Sequence, residues 1–168
     1  MTPERKRKIR RWALEIAAAV ILVLGLRAFM TRGAVSGRAP MIDGRATDGQ
    51  RVSLASMRGR PVLVHFWATW CGVCRAQEGN IESVAEGGDV ITIATRSGDA
   101  TVVGRELQAR GLHFAAIVDP DGRIASAWGV RAFPTDFVVG PDGDIAFTDS
   151  GYTTTLGLRL RLWSSALF

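Results

Sequence analysis

Residues 61–74 read Pro61-Val62-Leu63-Val64-His65-Phe66-Trp67-Ala68-Thr69-Trp70-Cys71-Gly72-Val73-Cys74. Positions 61–67 are apolar almost throughout, as in a strand buried on both faces at the centre of a sheet. From Gly72 to about residue 86 the composition is helical, with a stop at Gly87-Gly88. Cys71 and Cys74 are the only cysteines in 168 residues. They form a C-x-x-C where strand gives way to helix, and a thiol pair in that place points to thiol–disulfide exchange. Cys71 falls at the helix start, where unpaired N–H groups and the macrodipole favour a thiolate. Cys74, one turn inside, is placed to resolve a mixed disulfide. A purely structural bridge is a weak alternative, because so small a loop constrains the unfolded chain little. Cu(I) held by the two thiolates is a rival reading. Zinc normally takes four ligands, and His65 and His113 lack a finger's spacing. The exchange reading calls for no metal and no cofactor.

Working outward, Asp48-Gly49 marks a turn before a short strand at 51–54, and a helical turn precedes Gly59. Strands are expected at 90–95, 114–118, 135–139 and 144–148. Ser97 or Asp99 caps a helix running to Arg110, and a short helix covers 123–128. The tail from Thr153 fits two patterns. Leu158, Leu160 and Leu162 alternate with Arg159 and Arg161 as in a strand, whereas Leu156, Leu160, Trp163 and Leu167 share one helical face. A Thr cap and the length of the run favour helix. The order β-β-α-β-α-β-α-β-β-α predicts an α/β fold: a mixed sheet flanked by helices on both faces, parallel early and antiparallel late.

The net charge of +5 is a property of one end. Residues 1–33 carry eight basic and two acidic side chains, and residues 34–168 carry thirteen and fourteen. The folded part therefore gives no reason to expect nucleic-acid binding. A basic segment (1–11) precedes an apolar run, and 16–26 has no polar side chain. Extended to 12–30, with Glu15 and Arg27 snorkelling to the interfaces and Trp12 at one of them, the run reads as a single-pass transmembrane anchor. The positive flank stays cytoplasmic, which sends the C-terminal domain across the membrane. A cleaved signal peptide, with Ala34-Val35-Ser36 as its cleavage site, is the alternative. Residues 31–40 read as a linker and 41–168 as the domain.

Trp67-Ala68-Thr69-Trp70-Cys71-Gly72-Val73-Cys74 after an apolar strand resembles the thioredoxin superfamily, and Phe133-Pro134-Thr135 looks like its cis-proline segment. With the N-terminal anchor, the chain is similar to the membrane-tethered, extracytoplasmic TlpA/ResA-like thiol-disulfide oxidoreductases. Within them, 64–67, 71–80 and 151–163 look closest to the D-type proteins of suppressor-of-copper-sensitivity operons. The resemblance covers about 39–165. It implies a thioredoxin-like fold in the periplasm at a bacterial inner membrane, protein thiol and disulfide substrates, a DsbD-like transmembrane thiol reductase as electron donor, and a context of copper tolerance. Reduction of apocytochrome thiols is another role within the same class.

The resemblance also implies roles for single residues. Pro134 would lie in cis against the disulfide and pair with substrate backbone, while Phe133 helps shape the docking surface and Trp70 contributes to substrate binding. Gly72 and Val73 tune the reduction potential. Thioredoxin itself has a buried Asp where this chain has His65, and many TlpA/ResA-like members have Glu where it has Gln77. His65 either takes the proton of Cys74 during resolution or is a buried neutral His holding a hydrogen bond. Glu78 either modulates the site or is merely solvated.

Overall fold

The computed structural model describes residues 3–87 and 89–167. Gly88, the second residue of the expected helix stop, lies outside them, as do the ends of the first and last expected segments.

The chain opens with helix α1 (Pro3–Met30) and strand β1 (Gly37–Arg38). A hairpin of β2 (Asp43–Arg45) and β3 (Arg51–Ser53) follows, then a 3-10 turn (Leu54–Met57). The central segment is β4 (Val62–Trp67), α2 (Gly72–Ala85), β5 (Val90–Thr95), α3 (Ala100–Ala109), β6 (Ala116–Asp119) and α4 (Arg123–Ala127). The chain closes with β7 (Thr135–Val139), β8 (Asp144–Ser150) and α5 (Thr155–Ser165). The six-stranded sheet runs β1-β8-β7-β4-β5-β6. β4 is parallel to β5 and β5 to β6, whereas β7 is antiparallel to both β4 and β8. That is the mixed sheet expected, with β4 flanked on both edges and buried at all six positions. The strand expected at 51–54 leaves the main sheet and pairs with Asp43–Arg45 in a separate hairpin.

β4 alternates strictly. Leu63 and Trp67 join a core with Cys71, Cys74 and Ile81 of the α2 segment, Val103 and Leu107 of α3, and Leu158 of α5. Val62, Val64 and Phe66 face the other core, with Trp128, Phe137, Ile42 and Leu54. There Trp128 meets Phe66 and Phe137 with ring centroids 5.6 and 4.8 Å apart. Both faces bury large side chains, so a one-residue slip of β4 would exchange His65 for Phe66 in each layer.

The tail is helical. Thr154 caps it, its hydroxyl accepting from the Gly157 N–H at 3.2 Å. Leu158 is the side chain driven into the core, while Leu156, Leu160, Trp163 and Leu167 face outward.

Among the described residues no helix is long and apolar enough to cross a membrane. The structure therefore does not by itself identify the spanning anchor expected over 12–30. Glu15 and Arg27 bound an uninterrupted apolar run of eleven residues, 16–26. At about 1.5 Å per residue that run falls well short of a bilayer core of about 30 Å. Its large side chains, Ile16, Val20, Ile21, Leu22, Val23, Leu24 and Leu26, are all half or more exposed. Residues 33–39 lie against the body: Val35 N–H donates to the Trp128 carbonyl at 3.2 Å, and Gly37 and Arg38 pair with Ile145 and Asp144.

Candidate active site

Cys71 and Cys74 form a disulfide with S–S 2.12 Å and Cα–Cα 5.2 Å. Cys71 is the N-cap of α2: its backbone is extended (φ −84°, ψ 111°), and its Sγ accepts from the Cys74 N–H at 3.1 Å. One orphan donor of the first turn therefore already points at the sulfur that must carry negative charge. Cys71 is 7% exposed and Cys74 1%. Both are buried, and Cys71 is the less buried of the two, which favours it as the attacking thiol.

The surface beside Cys71 is apolar. Trp70 and Val73 are largely exposed, and a Cβ placed on Gly72 would meet nothing within 4 Å. Phe133 packs against the core that contains both cysteines and meets Trp70 edge to face at 5.7 Å. The Phe133–Pro134 bond is cis. Phe133 thus comes from about 60 residues downstream to Trp70, with the cis Pro134 next to it in the chain.

The loop between β4 and α2 is held by bonds that sequence reading did not assign to it. Thr69 N–H donates to Ser97 Oγ at 3.0 Å, and Trp70 Nε1 donates to the Arg96 carbonyl at 3.0 Å. Arg96 has φ +50°, the one positive value at a non-glycine residue among the described residues. Arg110, at the end of α3, donates to the Thr69 carbonyl at 3.1 Å and pairs with Glu78 and Glu106. Burial alone would pull Arg110 down, but hydrogen bonds and charge from Glu106 and Glu78 hold its guanidinium above its ordinary value. Glu78 is not solvated: its side chain is 13% exposed and tied to Arg110.

Beneath this surface lies a buried polar cluster. His65 is directly opposite Asp136 in the β4–β7 register, and its Nδ1 is 2.6 Å from Asp136 Oδ1. Gln77, one helical turn beyond Cys74, donates from Nε2 to Asp136 Oδ2 at 2.7 Å. Its Oε1 accepts the Thr153 N–H at 3.0 Å. None of the three side chains exceeds 3% exposure. His65 is therefore a buried, hydrogen-bonded histidine on the α2 side of the sheet. Gln77, not Glu78, occupies the inward helical position. Asp136 was missed, although a lone acid inside the apolar strand 135–139 was a visible signal. Among the described residues no group of three or more His, Cys, Asp or Glu could hold a metal ion, so a Cu(I) site would rest on the two thiolates alone.

The sequence profile of the AhpC/TSA family matches residues 35–148. A thioredoxin-like protein of Haemophilus influenzae is 31% identical over 164 residues, covering 96% of this chain and 98% of its own. The thiol-disulfide oxidoreductase ResA of Bacillus subtilis is 23% identical, covering 88% and 89%. A secreted thiol-disulfide isomerase of Corynebacterium glutamicum shares the fold with TM-score 0.69 at 22% identity, covering 77% of this chain and 85% of that one. With one redox pair at the N-terminus of α2 and that full-length similarity, the chain belongs to the AhpC/TSA family and is a thioredoxin-fold thiol-disulfide oxidoreductase.

Proposed function

We propose that the protein reduces disulfides of other proteins outside the cytoplasm, attached to a membrane through α1. The observation that carries the exchange chemistry is the Cys71–Cys74 disulfide, with Cys71 as the N-cap of α2 and the less buried residue of the pair. Cys71, as thiolate, attacks a substrate disulfide and forms a mixed disulfide; one substrate sulfur leaves as thiolate. Cys74 loses its proton to His65 and attacks Cys71 Sγ. The Cys71–Cys74 bond forms, the second substrate sulfur departs with its electron pair, and the substrate has gained two electrons. Trp70, Val73, Phe133 and Pro134 receive the substrate backbone, and Gly72 leaves the approach open.

The exposed apolar face of α1, with basic residues on its N-terminal flank, supports membrane attachment and export of the domain. A DsbD-type transmembrane donor would return electrons to Cys71–Cys74 in a compartment that otherwise oxidises thiols. The resemblance to D-type copper-sensitivity proteins supports a role in copper tolerance.

The reduced full chain should cleave a protein disulfide. Cys71→Ser should abolish this, and Cys74→Ser should accumulate the mixed disulfide. A wild-type chain without exchange activity would refute the exchange reading. Thiol trapping in living cells should find the pair mostly reduced; a mostly oxidised pair would reverse the direction. Recovery of the full chain in the soluble fraction would rule out membrane attachment.

A further inference from the structure

The His65–Asp136–Gln77 cluster is more ordered than a single buried histidine requires. Its polarity follows from one backbone group. The Thr153 N–H can only donate, so the amide oxygen of Gln77 faces it at 3.0 Å. The amide nitrogen must then face Asp136, where it donates to Oδ2. The remaining oxygen, Oδ1, lies 2.6 Å from His65 Nδ1. A carboxylate that already accepts one N–H and is buried at 3% exposure is best satisfied by a second donor. That donor is Nδ1–H, which leaves Nε2 of the neutral ring unprotonated.

The cluster is anchored at both ends by regular structure. His65 and Asp136 are cross-strand partners on adjacent central strands. Leu63 and Trp67, on the same face of β4 as His65, pack in one core with Cys74. Gln77 is on α2, one turn from Cys74. The sheet and the active-site helix therefore converge on Asp136, which is 3% exposed and is not among the exposed apolar residues beside Cys71.

We propose that Asp136 is a positioning residue for the resolving step. It holds His65 in the Nδ1–H tautomer, so that Nε2 is the nitrogen that takes the Cys74 proton, and Gln77 fixes the carboxylate against Thr153. The inference rests on the exchange reading above and adds the division of labour between the two steps. Cys71 attack does not use Asp136. In resolution the Cys74 proton passes to Nε2, the Cys74 sulfur bonds to Cys71, and the bond from Cys71 to the substrate breaks. The imidazolium then faces the Asp136 carboxylate through Nδ1–H and returns its proton to solvent or to the departing thiolate.

The test uses the reduced full chain and a chromogenic aryl disulfide. One coloured thiolate is released when Cys71 attacks and a second when Cys74 resolves. Asp136→Asn should leave the first phase unchanged and slow the second by about tenfold or more, the low end of a general-base contribution. Equal slowing of both phases, or no slowing of the second, overturns the proposal. Should Asp136→Asn fail to fold, the wild-type ring decides. The chain has two histidines, so ring-nitrogen shifts of the ¹⁵N-histidine protein, assigned with His113→Asn, give the His65 tautomer directly. A proton on Nδ1 alone is expected; a proton on Nε2, alone or with Nδ1, overturns the assignment. Absence of the first phase in wild type would instead count against the exchange reading itself.

Discussion

Arg110 shows how much one side chain can decide. It joins α3, α2 and the loop before Cys71 by bonds to Glu106, Glu78 and the Thr69 carbonyl. Its guanidinium, held above its ordinary value, stays charged at every working pH, so the clamp does not titrate from the arginine side. Arg110→Met keeps the packing of the stem but leaves Glu78 under-solvated. A stability loss of about 2–3 kcal/mol is expected in chemical denaturation, the scale of hydrogen bonds to charged groups. A loss under about 0.5 kcal/mol would mean that solvent replaces the clamp. Cys71 is likewise both nucleophile and N-cap. Cys71→Ser and Cys71→Ala should both lack exchange activity, but serine keeps an acceptor for the Cys74 N–H. The alanine variant is expected to be less stable than the serine variant by about 1 kcal/mol; equal midpoints would remove the capping role.

At the scale of elements, α2 begins on a residue that imposes no side chain of its own. Gly72 is the first helical position, and a Cβ there meets open space. Gly72→Pro should be tolerated or should stabilise the fold by about 0.4–1 kcal/mol, because proline suits that position and restricts the unfolded chain. A thermal midpoint clearly below wild type would contradict the placement of the helix start. The β2–β3 hairpin depends on charge instead. The Arg51 hydrogen bond holds the Asp43 carboxyl below its usual range. A depressed carboxyl contributes stability that is present above its unfolded value and lost as pH falls through its folded value. Asp43→Asn should therefore flatten the acid limb of the stability profile, and added salt should shrink the difference, since the pair is exposed.

For the molecule as a whole, the stretch between α1 and the hairpin is part of the body. A Cβ on Gly129 (φ +66°) would stand 1.9 Å from the Gly33 carbonyl oxygen. Ala34, Val35 and Ala39 pack against the core that holds Trp128. Gly129→Ala should cost more than about 1 kcal/mol, from both the clash and the left-handed backbone. A chain begun at Met41 should melt below one begun at Thr31, since it loses β1 and that apolar contact. Equal melting temperatures would show that 33–39 contributes nothing.

The core of the exchange chemistry was legible in the chain because it is local. An apolar run, a helical composition and a C-x-x-C at their junction set strand, helix and thiol order within 25 residues. The tail could be assigned to a helix, but which leucine is buried could not, since Leu158 is selected by the neighbours of α5 and not by periodicity. The same holds for Asp136, Arg110, Arg96 and Ser97, whose bonds to His65 and to the loop before Cys71 span 26 to 71 residues. Sequence alone determined where the sulfur chemistry occurs, because backbone preference and burial act between near neighbours. Tertiary structure decided what surrounds it, because hydrogen-bond partners for buried polar groups are supplied by register and packing between distant strands and helices.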